Sequence, residues 1–394
     1  MQWGLDSVPN FCFCNGEVAR LPDSTDVFVI GGGPAGLAAA IAARQQGLRV
    51  VLADGATPPI DKACGEALMP DAVTALERLG VVVPSAESRA LHGVRFLSSG
   101  LSAEAVFPSR TFGLSIRRTT LHRSMTERAE DLGVELLWQS AVTGISAEGV
   151  QLGKRTIRSR WIVGADGANS RVRRWANLDA RSRTGLRYAF RRHYRVTPWT
   201  DRMEIYWGKC SQGYATAVSS DQVCVAVASR DSGLRLEESL PVFPELEARL
   251  RGAEIVSAEK GSVSANCKLR RVWRKNVALI GDASGTVDAI TGDGLGLAFN
   301  QAIVLAQCFV SSKLVQYQLA HRRLARRPLW MARLMLTLDG RPRFQQRTLQ
   351  AFRKHPEVFR RLLALHVGSL SPFHLALDGL TLGWGLLTAD CITQ

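Results

Sequence analysis

The sequence lacks the patterns that indicate a metal site or a disulfide framework. Its eight cysteines include no C-x-x-C pair, and its seven histidines include no pair at metal-ligand spacing. We therefore expect no structural metal, and thiols that stay reduced as in the cytoplasm. The first residues also lack the charged and apolar regions of a signal peptide, so none is expected.

Long apolar runs and lysine are also scarce. No stretch reaches 18 uninterrupted apolar residues, which argues against a spanning helix, and Asp378 interrupts the apolar tail over 366–389. Most of the 50 basic residues are arginine, and the net charge is +15. The arginines are scattered without a nucleic-acid motif, so we expect no nucleic-acid partner. An arginine-rich surface is the first interpretation, and peripheral contact with an anionic membrane is the second.

The N-terminal part of the sequence predicts a β-α-β unit. Val27–Ile30 is a buried strand that ends abruptly at glycines, and Leu37–Gln46 is an alanine- and leucine-rich helix. A second strand, Arg49–Ala53, follows. With 394 residues of normal globular composition, the whole chain has room for two to three domains.

A glycine motif joins the first strand to the helix. In Gly31-x-Gly33-x-x-Gly36, the first glycine permits the tight turn, the second admits a pyrophosphate, and the third lets helix and strand pack closely. Pro34 and Ala35 open the helix, whose free N–H groups attract phosphate. Asp54 ends the second strand and can accept hydrogen bonds from ribose hydroxyls. The pattern predicts a dinucleotide site.

Three further glycine runs lie downstream. Gly164-Ala165-Asp166-Gly167 closes a strand that begins at Trp161, and Gly281-Asp282 closes another that begins at Val277. Gly292-Asp293-Gly294-Leu295-Gly296 begins a helix, whose N-terminus carries partial positive charge. A simple helix cap is the alternative interpretation of this last run.

Taken in this order, the motifs over residues 25–310 resemble those of the flavoprotein superfamily of aromatic hydroxylases and geranylgeranyl reductases. The resemblance implies non-covalent FAD, with Asp282 on its ribityl chain and Arg118 near its pyrophosphate. It implies that Asp166 and Gly167 lie near the cofactor and shape the approach of a nicotinamide. The helix start at Gly292, Gly294 and Leu295 would face the pyrimidine edge of the flavin.

The segment Asp61–Pro70 resembles the Cys-Gly loop of geranylgeranyl reductases, which lies beside the flavin ring in that family. Cys64 and Gly65 are therefore candidate catalytic residues: the thiol donates a proton or packs the substrate, with a buried structural cysteine as the alternative. The run Asp288–Gly294 resembles the family's Asn-Pro-Leu-Thr-Gly-Glu-Gly, although Asp288, Ala289 and Asp293 depart from it.

The predicted fold class is α/β: a Rossmann-type FAD-binding domain with an inserted antiparallel β-sheet substrate domain and a helical C-terminal region. The predicted divisions are an irregular leader over 1–24, an FAD-binding domain over 25–180 and 270–310, a β-rich substrate domain over 181–269, and a helical region over 311–394.

The resemblance implies an FAD-dependent oxidoreductase that reduces a C=C bond of a hydrophobic, isoprenoid-like substrate. No second dinucleotide fingerprint is present, so NAD(P)H would bind transiently or another donor would replace it. One alternative is a monooxygenase that hydroxylates an aromatic or polyketide-type ring, and another is a flavin-binding protein without turnover. The sequence leaves the oligomeric state open.

Overall fold

The computed structural model describes residues 12–14, 17–19, 22–179 and 183–370. Its strands are β1 Cys12–Cys14, β2 Glu17–Ala19, β3 Ser24–Ile30, β4 Val50–Ala53, β5 Ala67–Leu68, β6 Ser88–Leu91, β7 Gly93–Ser98, β8 Leu101–Val106, β9 Gly113–Ile116, β10 Glu135–Leu137, β11 Val142–Ile145, β12 Val150–Leu152, β13 Arg155–Gly164, β14 Arg183–Arg195, β15 Arg202–Trp207, β16 Ser211–Ala217, β17 Gln222–Ser229, β18 Glu254–Ile255, β19 Lys260–Cys267, β20 Trp273–Arg274 and β21 Val277–Leu279. Its α-helices are α1 Pro34–Gln45, α2 Pro70–Arg78, α3 Arg118–Asp131, α4 Arg171–Trp175, α5 Leu236–Ser239, α6 Pro244–Leu250, α7 Gly294–Ser311, α8 Leu314–Leu338, α9 Pro342–Lys354 and α10 Pro356–His366.

The first sheet has a parallel centre in the order β10-β4-β3-β13-β21. Its central strands are continuous apolar runs because both faces are covered. Helices α1, α3 and α7 pack on one face, where alanines of α1 allow close approach. Strand β13 is long enough to pair with β12 at its start and with β21 at its end. This is the predicted Rossmann-type domain.

The second sheet has the order β18-β14-β17-β16-β15-β7-β8, with β19 also on β14. The expectation of an antiparallel sheet built from 181–269 needs two corrections. Strands β7 and β15 pair in parallel, and β7 and β8 come from residues 93–106, within the predicted FAD-binding range. In the sequence, Leu101, Ala103 and Ala105 alternate with Ser102 and Glu104, which is the pattern of a half-buried strand that the prediction overlooked. The burial of these side chains in the structure alternates in the same way.

The leader over 1–24 is not wholly irregular. Strands β1 and β2 form an antiparallel hairpin, and β3 already begins at Ser24. The sequence between the two short strands is Asn15-Gly16, the strongest local signal for a hairpin turn, which the prediction missed.

The C-terminal helices α8 to α10 follow α7, as predicted, and α9 and α10 pack against β8 of the second sheet. The remainder of the predicted helical region, 371–394, lies outside the described residues, as does most of the apolar tail. Within the described part of the chain, α7 has the length and apolar composition of a membrane-crossing helix. It packs against α1 and α2, and more than half of its residues are buried in the protein.

Candidate active site

A cleft of about 590 Å³, here called the main cleft, lies where the strands of the first sheet end. Strands β3, β13 and β21 each stop at a glycine-containing turn on this edge, which is where ligands bind in open α/β sheets. All predicted site residues but one line it: Gly31, Gly33, Pro34, Ala35, Asp54, Cys64, Gly65, Arg118, Asp166, Gly167, Gly281, Asp282, Gly292, Gly294 and Leu295. The exception is Gly36, which packs behind the turn.

The glycine turn has the geometry that its sequence predicted. Gly31 has φ +111°, and an added Cβ there would lie 2.5 Å from the carbonyl oxygen of Ala165. At Gly36 an added Cβ would lie 1.8 Å from the Gly31 oxygen, so this position serves packing. At Gly33 no described atom would lie within 4 Å, and no described side chain caps the α1 N-terminus. This N-terminus therefore faces open space in the cleft.

Two side chains hold the glycine turn from behind. Asp54 accepts hydrogen bonds from Gly32 N at 2.6 Å and from Ala56 N at 2.8 Å. The buried His122 ring lies with Nε2 2.9 Å from the Gly32 oxygen. Burial lowers the pKa of His122, so the neutral ring donates this hydrogen bond. Sequence reasoning missed His122, although it follows Arg118 by one turn of the same helix.

Arg118 begins α3 and lines the cleft. Its Nε is buried and has no hydrogen-bond partner among the described residues, which leaves a charged donor for an anion. Its backbone N donates to Glu66 Oε1 at 2.9 Å. The arginine is thereby fixed relative to residues 61–66, here called the Cys64 loop.

Asp166 has a structural duty besides lining the cleft. Its carboxylate accepts from Ser170 Oγ at 2.5 Å and from the backbone N of Arg171 and Val172, at the start of α4. It therefore orders the turn, while Gly167 beside it, with φ +79°, opens onto the cleft.

Asp282 meets a partner that the sequence did not reveal. Lys62 Nζ lies 3.3 Å from Asp282 Oδ2, and both side chains are more than 40% exposed, which makes the pair weak. The preceding turn is fixed, because Gly281 N donates to the buried Gln301 Oε1 at 2.8 Å. The backbone that carries the Asp282 carboxylate is thus held in place at the edge of the cleft.

The run Gly292–Gly296 forms the predicted helix start, with Asp293 at the cap position of α7 and Gly294 as its first residue. Added Cβ atoms at Gly292 and Gly294 would meet no described atom within 4 Å. No described side chain caps this N-terminus, so its partial positive charge faces the cleft.

The Cys64 loop is clamped at both ends by one strand of the second sheet. Arg191 of β14 contacts Asp61 before the cysteine, and His193 Nε2 lies 2.7 Å from Glu66 Oε2 after it. Arg191, His193 and Glu66 are each at least 97% buried. Sequence reasoning missed this clamp because its two halves lie more than 100 residues apart.

One buried group resembles a set of metal ligands. Glu66, His193 and Cys224 have ligand atoms within 4.8 Å of one another. However, both Glu66 oxygens already accept hydrogen bonds, and the Arg191 and Arg117 guanidinium groups lie 3.3 and 3.4 Å from His193 Nδ1. Burial raises the pKa of the Cys224 thiol, which keeps it protonated. The three residues therefore form a buried, hydrogen-bonded cluster rather than a cation site.

A second space of about 210 Å³, here called the apolar cavity, lies between the second sheet and α8 to α10. It is lined by aliphatic and aromatic side chains, including four of the six methionines: Met69, Met203, Met331 and Met335. Met203 and Thr291 line both spaces, so the apolar cavity adjoins the main cleft. Flexible methionines suit a cavity that accepts long, bendable apolar chains.

The residues of the main cleft fit FAD. The uncapped α1 N-terminus, open Gly33 and unpartnered Arg118 Nε suit a pyrophosphate, and Asp54 stands at the end of β4 for the adenosine ribose. The uncapped N-terminus of α7 offers partial positive charge to the flavin half of the FAD molecule.

Comparison with known proteins decides the family. Residues 24–312, more than half of the chain, match the family described as "FAD binding domain". The chain belongs to this family. The protein is therefore an FAD-dependent oxidoreductase, which confirms the predicted cofactor.

Two named relatives and one solved structure are similar over most of the chain. A menaquinone reductase from Mycolicibacterium smegmatis is 28% identical, covering 82% of this chain and 86% of that protein. A digeranylgeranylglycerophospholipid reductase from Methanococcus vannielii is 26% identical, covering 74% and 78%. A flavoprotein/dehydrogenase from Cytophaga hutchinsonii has a TM-score of 0.78 at 17% identity, covering 92% and 98%. The structural likeness confirms the flavoprotein fold.

Proposed function

We propose that the enzyme reduces C=C bonds in the isoprenoid chain of a lipid or quinone, with electrons from NAD(P)H or another donor. The observation that carries this proposal is the apolar cavity that adjoins the main cleft at Met203 and Thr291. The named reductase relatives act on isoprenoid lipids or quinones by their descriptions, and they support the same substrate class.

In this proposal Gly31, Gly33, Pro34, Ala35, Gly36, Asp54 and Arg118 hold the adenosine and pyrophosphate of FAD. Asp282 holds the ribityl chain, Gly292, Gly294 and Leu295 approach the flavin ring, and Asp166 and Gly167 shape the approach of the nicotinamide. Bound FAD, once reduced, supplies a hydride. The protein orients the double bond and excludes water from it.

Cys64 and Gly65 are proposed to form the wall beside the ring. Cys64 Sγ accepts a hydrogen bond from Glu66 N at 3.4 Å, which fixes its direction, and Gly65 leaves open space in front of the loop. A thiol in this place contacts the substrate or supplies its proton.

The site further suggests a membrane-bound substrate, and we propose that the protein works at the cytoplasmic surface in peripheral contact with the bilayer. Arg341 and Phe344 of the cavity lining are exposed at the start of α9, and Trp330 of α8 is also exposed. Arginine next to exposed aromatic side chains suits an anionic lipid surface.

Flotation with vesicles tests the membrane contact. The protein should float with anionic but not with neutral vesicles, and Phe344→Ser should weaken binding to the anionic vesicles. Equal flotation with anionic and neutral vesicles would contradict the membrane contact.

Anaerobic flavin absorbance tests the reaction type. The FAD-loaded protein is reduced with dithionite, and detergent-dispersed geranylgeraniol, which has double bonds but no quinone ring to accept electrons, is added without oxygen. Reoxidation by geranylgeraniol supports reduction of a C=C bond. Reoxidation that requires oxygen as well as substrate would point to the monooxygenase, and no effect of geranylgeraniol would overturn the proposal.

A matched pair of α8 variants tests the cavity. Met335 lines the apolar cavity, whereas Leu319 on the same helix is 53% exposed. Met335→Trp should fill the cavity and raise KM for the isoprenoid compound with FAD content kept. Leu319→Trp adds the same bulk to the surface and serves as the control; equal effects of the two would contradict the cavity assignment.

A further inference from the structure

One buried acid-base pair spans the junction between the two spaces. Asp293 precedes α7 and lines the main cleft, whereas His366 ends α10 and lines the apolar cavity. His366 Nε2 lies 3.4 Å from Asp293 Oδ1, and both residues are more than 90% buried. The contact therefore crosses from the cofactor side to the substrate side.

Each member of the pair has a polar atom to spare. Asp293 Oδ2 and His366 Nδ1 are buried and have no hydrogen-bond partner within the part of the chain that the structure describes. Orphaned buried polar atoms are costly, and a catalytic role is one of the reasons for which native proteins keep them. The two residues lie where the main cleft adjoins the mainly apolar cavity, whose other polar lining residues are Thr291, Thr337, Arg341 and Thr348.

We propose that Asp293 is the proton donor for double-bond reduction and that His366 supports it. This inference rests on the proposed function. One carbon of the double bond accepts a hydride with its electron pair, the other takes the Asp293 proton, and the saturated product leaves. The carboxylate that remains recovers its proton from solvent.

The environment of Asp293 suits this role. Burial raises the pKa of the Asp293 carboxyl, and the Asp71 carboxylate of α2 raises it further. His366 opposes the shift, as do Thr291 and Arg327, and Arg327 itself is paired with Asp71. With the pKa raised, the carboxyl keeps its proton at a pH where exposed aspartates have lost theirs.

Cys64, the other candidate donor, is less well placed. Cys64 lines the main cleft, as Asp293 does, but Asp293 also contacts His366 of the apolar cavity lining. The sulfur of Cys64 accepts a hydrogen bond from the Glu66 N–H, which ties the thiol to its own loop. The thiol thus orders the loop and contacts the ring side, and Asp293 serves the cavity side.

Infrared difference spectroscopy of the FAD-bound protein, without substrate, tests whether the Asp293 carboxyl is protonated. A pH titration should show the C=O band of a protonated, buried carboxyl that Asp293→Asn removes. His366→Ala should move the loss of this band to higher pH, because it removes a group that lowers the pKa of Asp293. A spectrum in which Asp293→Asn removes no such band would overturn the inference.

The pH dependence of anaerobic reoxidation by geranylgeraniol tests whether the Asp293 proton is used in the reaction. The wild-type rate should fall as pH rises through the Asp293 titration. Asp293→Asn should lower the rate about 10²- to 10⁴-fold and abolish this decrease with pH, here called the alkaline limb. Asp293→Glu should restore part of the rate and part of the limb. Cys64→Ala should retain the limb. A limb that persists in Asp293→Asn, or one that disappears in Cys64→Ala, would contradict the assignment; no substrate-dependent reoxidation in wild type would instead overturn the proposed function.

Discussion

The imidazole Nε2 of His193 lies 2.7 Å from Oε2 of Glu66, and both side chains are about 99% buried. Glu66 has φ +57°, a left-handed conformation that is unfavourable for a residue with a side chain. The contact holds this turn in place directly after Cys64 and ties the first domain to β14 of the second sheet. The candidate catalytic loop is therefore positioned by the substrate layer.

His193→Phe should loosen the Cys64 loop. The variant removes one of the hydrogen bonds to the buried Glu66 carboxylate, which still accepts from the backbone N of Arg118, and the loss lowers the free energy of unfolding by about 1.5–3 kcal/mol. We expect Cys64 to be alkylated several-fold faster by iodoacetamide, with FAD bound. Exposed Cys210 is the internal control and should react at the wild-type rate. Unchanged Cys64 alkylation would show that the clamp does not order the loop.

Two glycine substitutions should separate cofactor binding from folding. Gly33→Ala adds a methyl group into open space at an ordinary φ of −67°, so the apoprotein should keep its stability and lose affinity for FAD. Gly36→Ala places Cβ against the Gly31 oxygen and should lower the melting temperature of the apoprotein itself. Thermal melts and FAD titrations of both variants measure this. A Gly33→Ala protein that binds FAD as wild type does would contradict the pyrophosphate assignment.

Asp282→Ala should weaken FAD binding while the apoprotein stays folded. The lost charge-assisted hydrogen bond is worth about 1.5–3 kcal/mol, or about 10- to 150-fold in Kd. Lys62→Met removes the opposing cation from the same exposed pair and should leave Asp282 free to bind. The flavin released on denaturation identifies the cofactor, and FMN in place of FAD would refute the Asp54 assignment. Retention of FAD by Asp282→Ala through dialysis would remove Asp282 from the site.

Folding stability should decrease in mild acid. Burial lowers the pKa of His122, and burial together with Arg322 lowers the pKa of His321 to about 4. Both rings are neutral in the folded protein but take up a proton in the unfolded chain near pH 6.5, so unfolding binds protons below that pH. Stability is thus complete above about pH 6.5 and, for His321, falls until about pH 4. In urea titrations, His321→Gln should flatten this dependence; an unchanged slope would contradict it.

The sequence was sufficient where structure is local. The glycine turn, Asp54, Asp282 and the start of α7 depend on contacts within one strand-turn-helix unit, and their residues meet in one cleft.

Contacts between distant segments could not be predicted from the sequence. Lys62 reaches Asp282 across 220 positions, and Arg191 reaches Asp61 across 130, with no local pattern to announce either. The parallel pairing of β7 with β15 likewise depends on how the chain returns to the second sheet. Asp293 was noticed as a departure from a motif, but its partner His366 becomes visible when α10 is folded over the cavity.

Mass spectrometry of the product distinguishes reduction of the double bond from its hydroxylation. FAD-loaded protein is incubated with a reductant and detergent-dispersed geranylgeraniol, with and without oxygen. Double-bond reduction predicts a product that gains two hydrogen atoms per turnover, forms without oxygen and decreases in Met335→Trp. A product that gains an oxygen atom and forms under air alone would contradict double-bond reduction and establish the hydroxylation chemistry in its place.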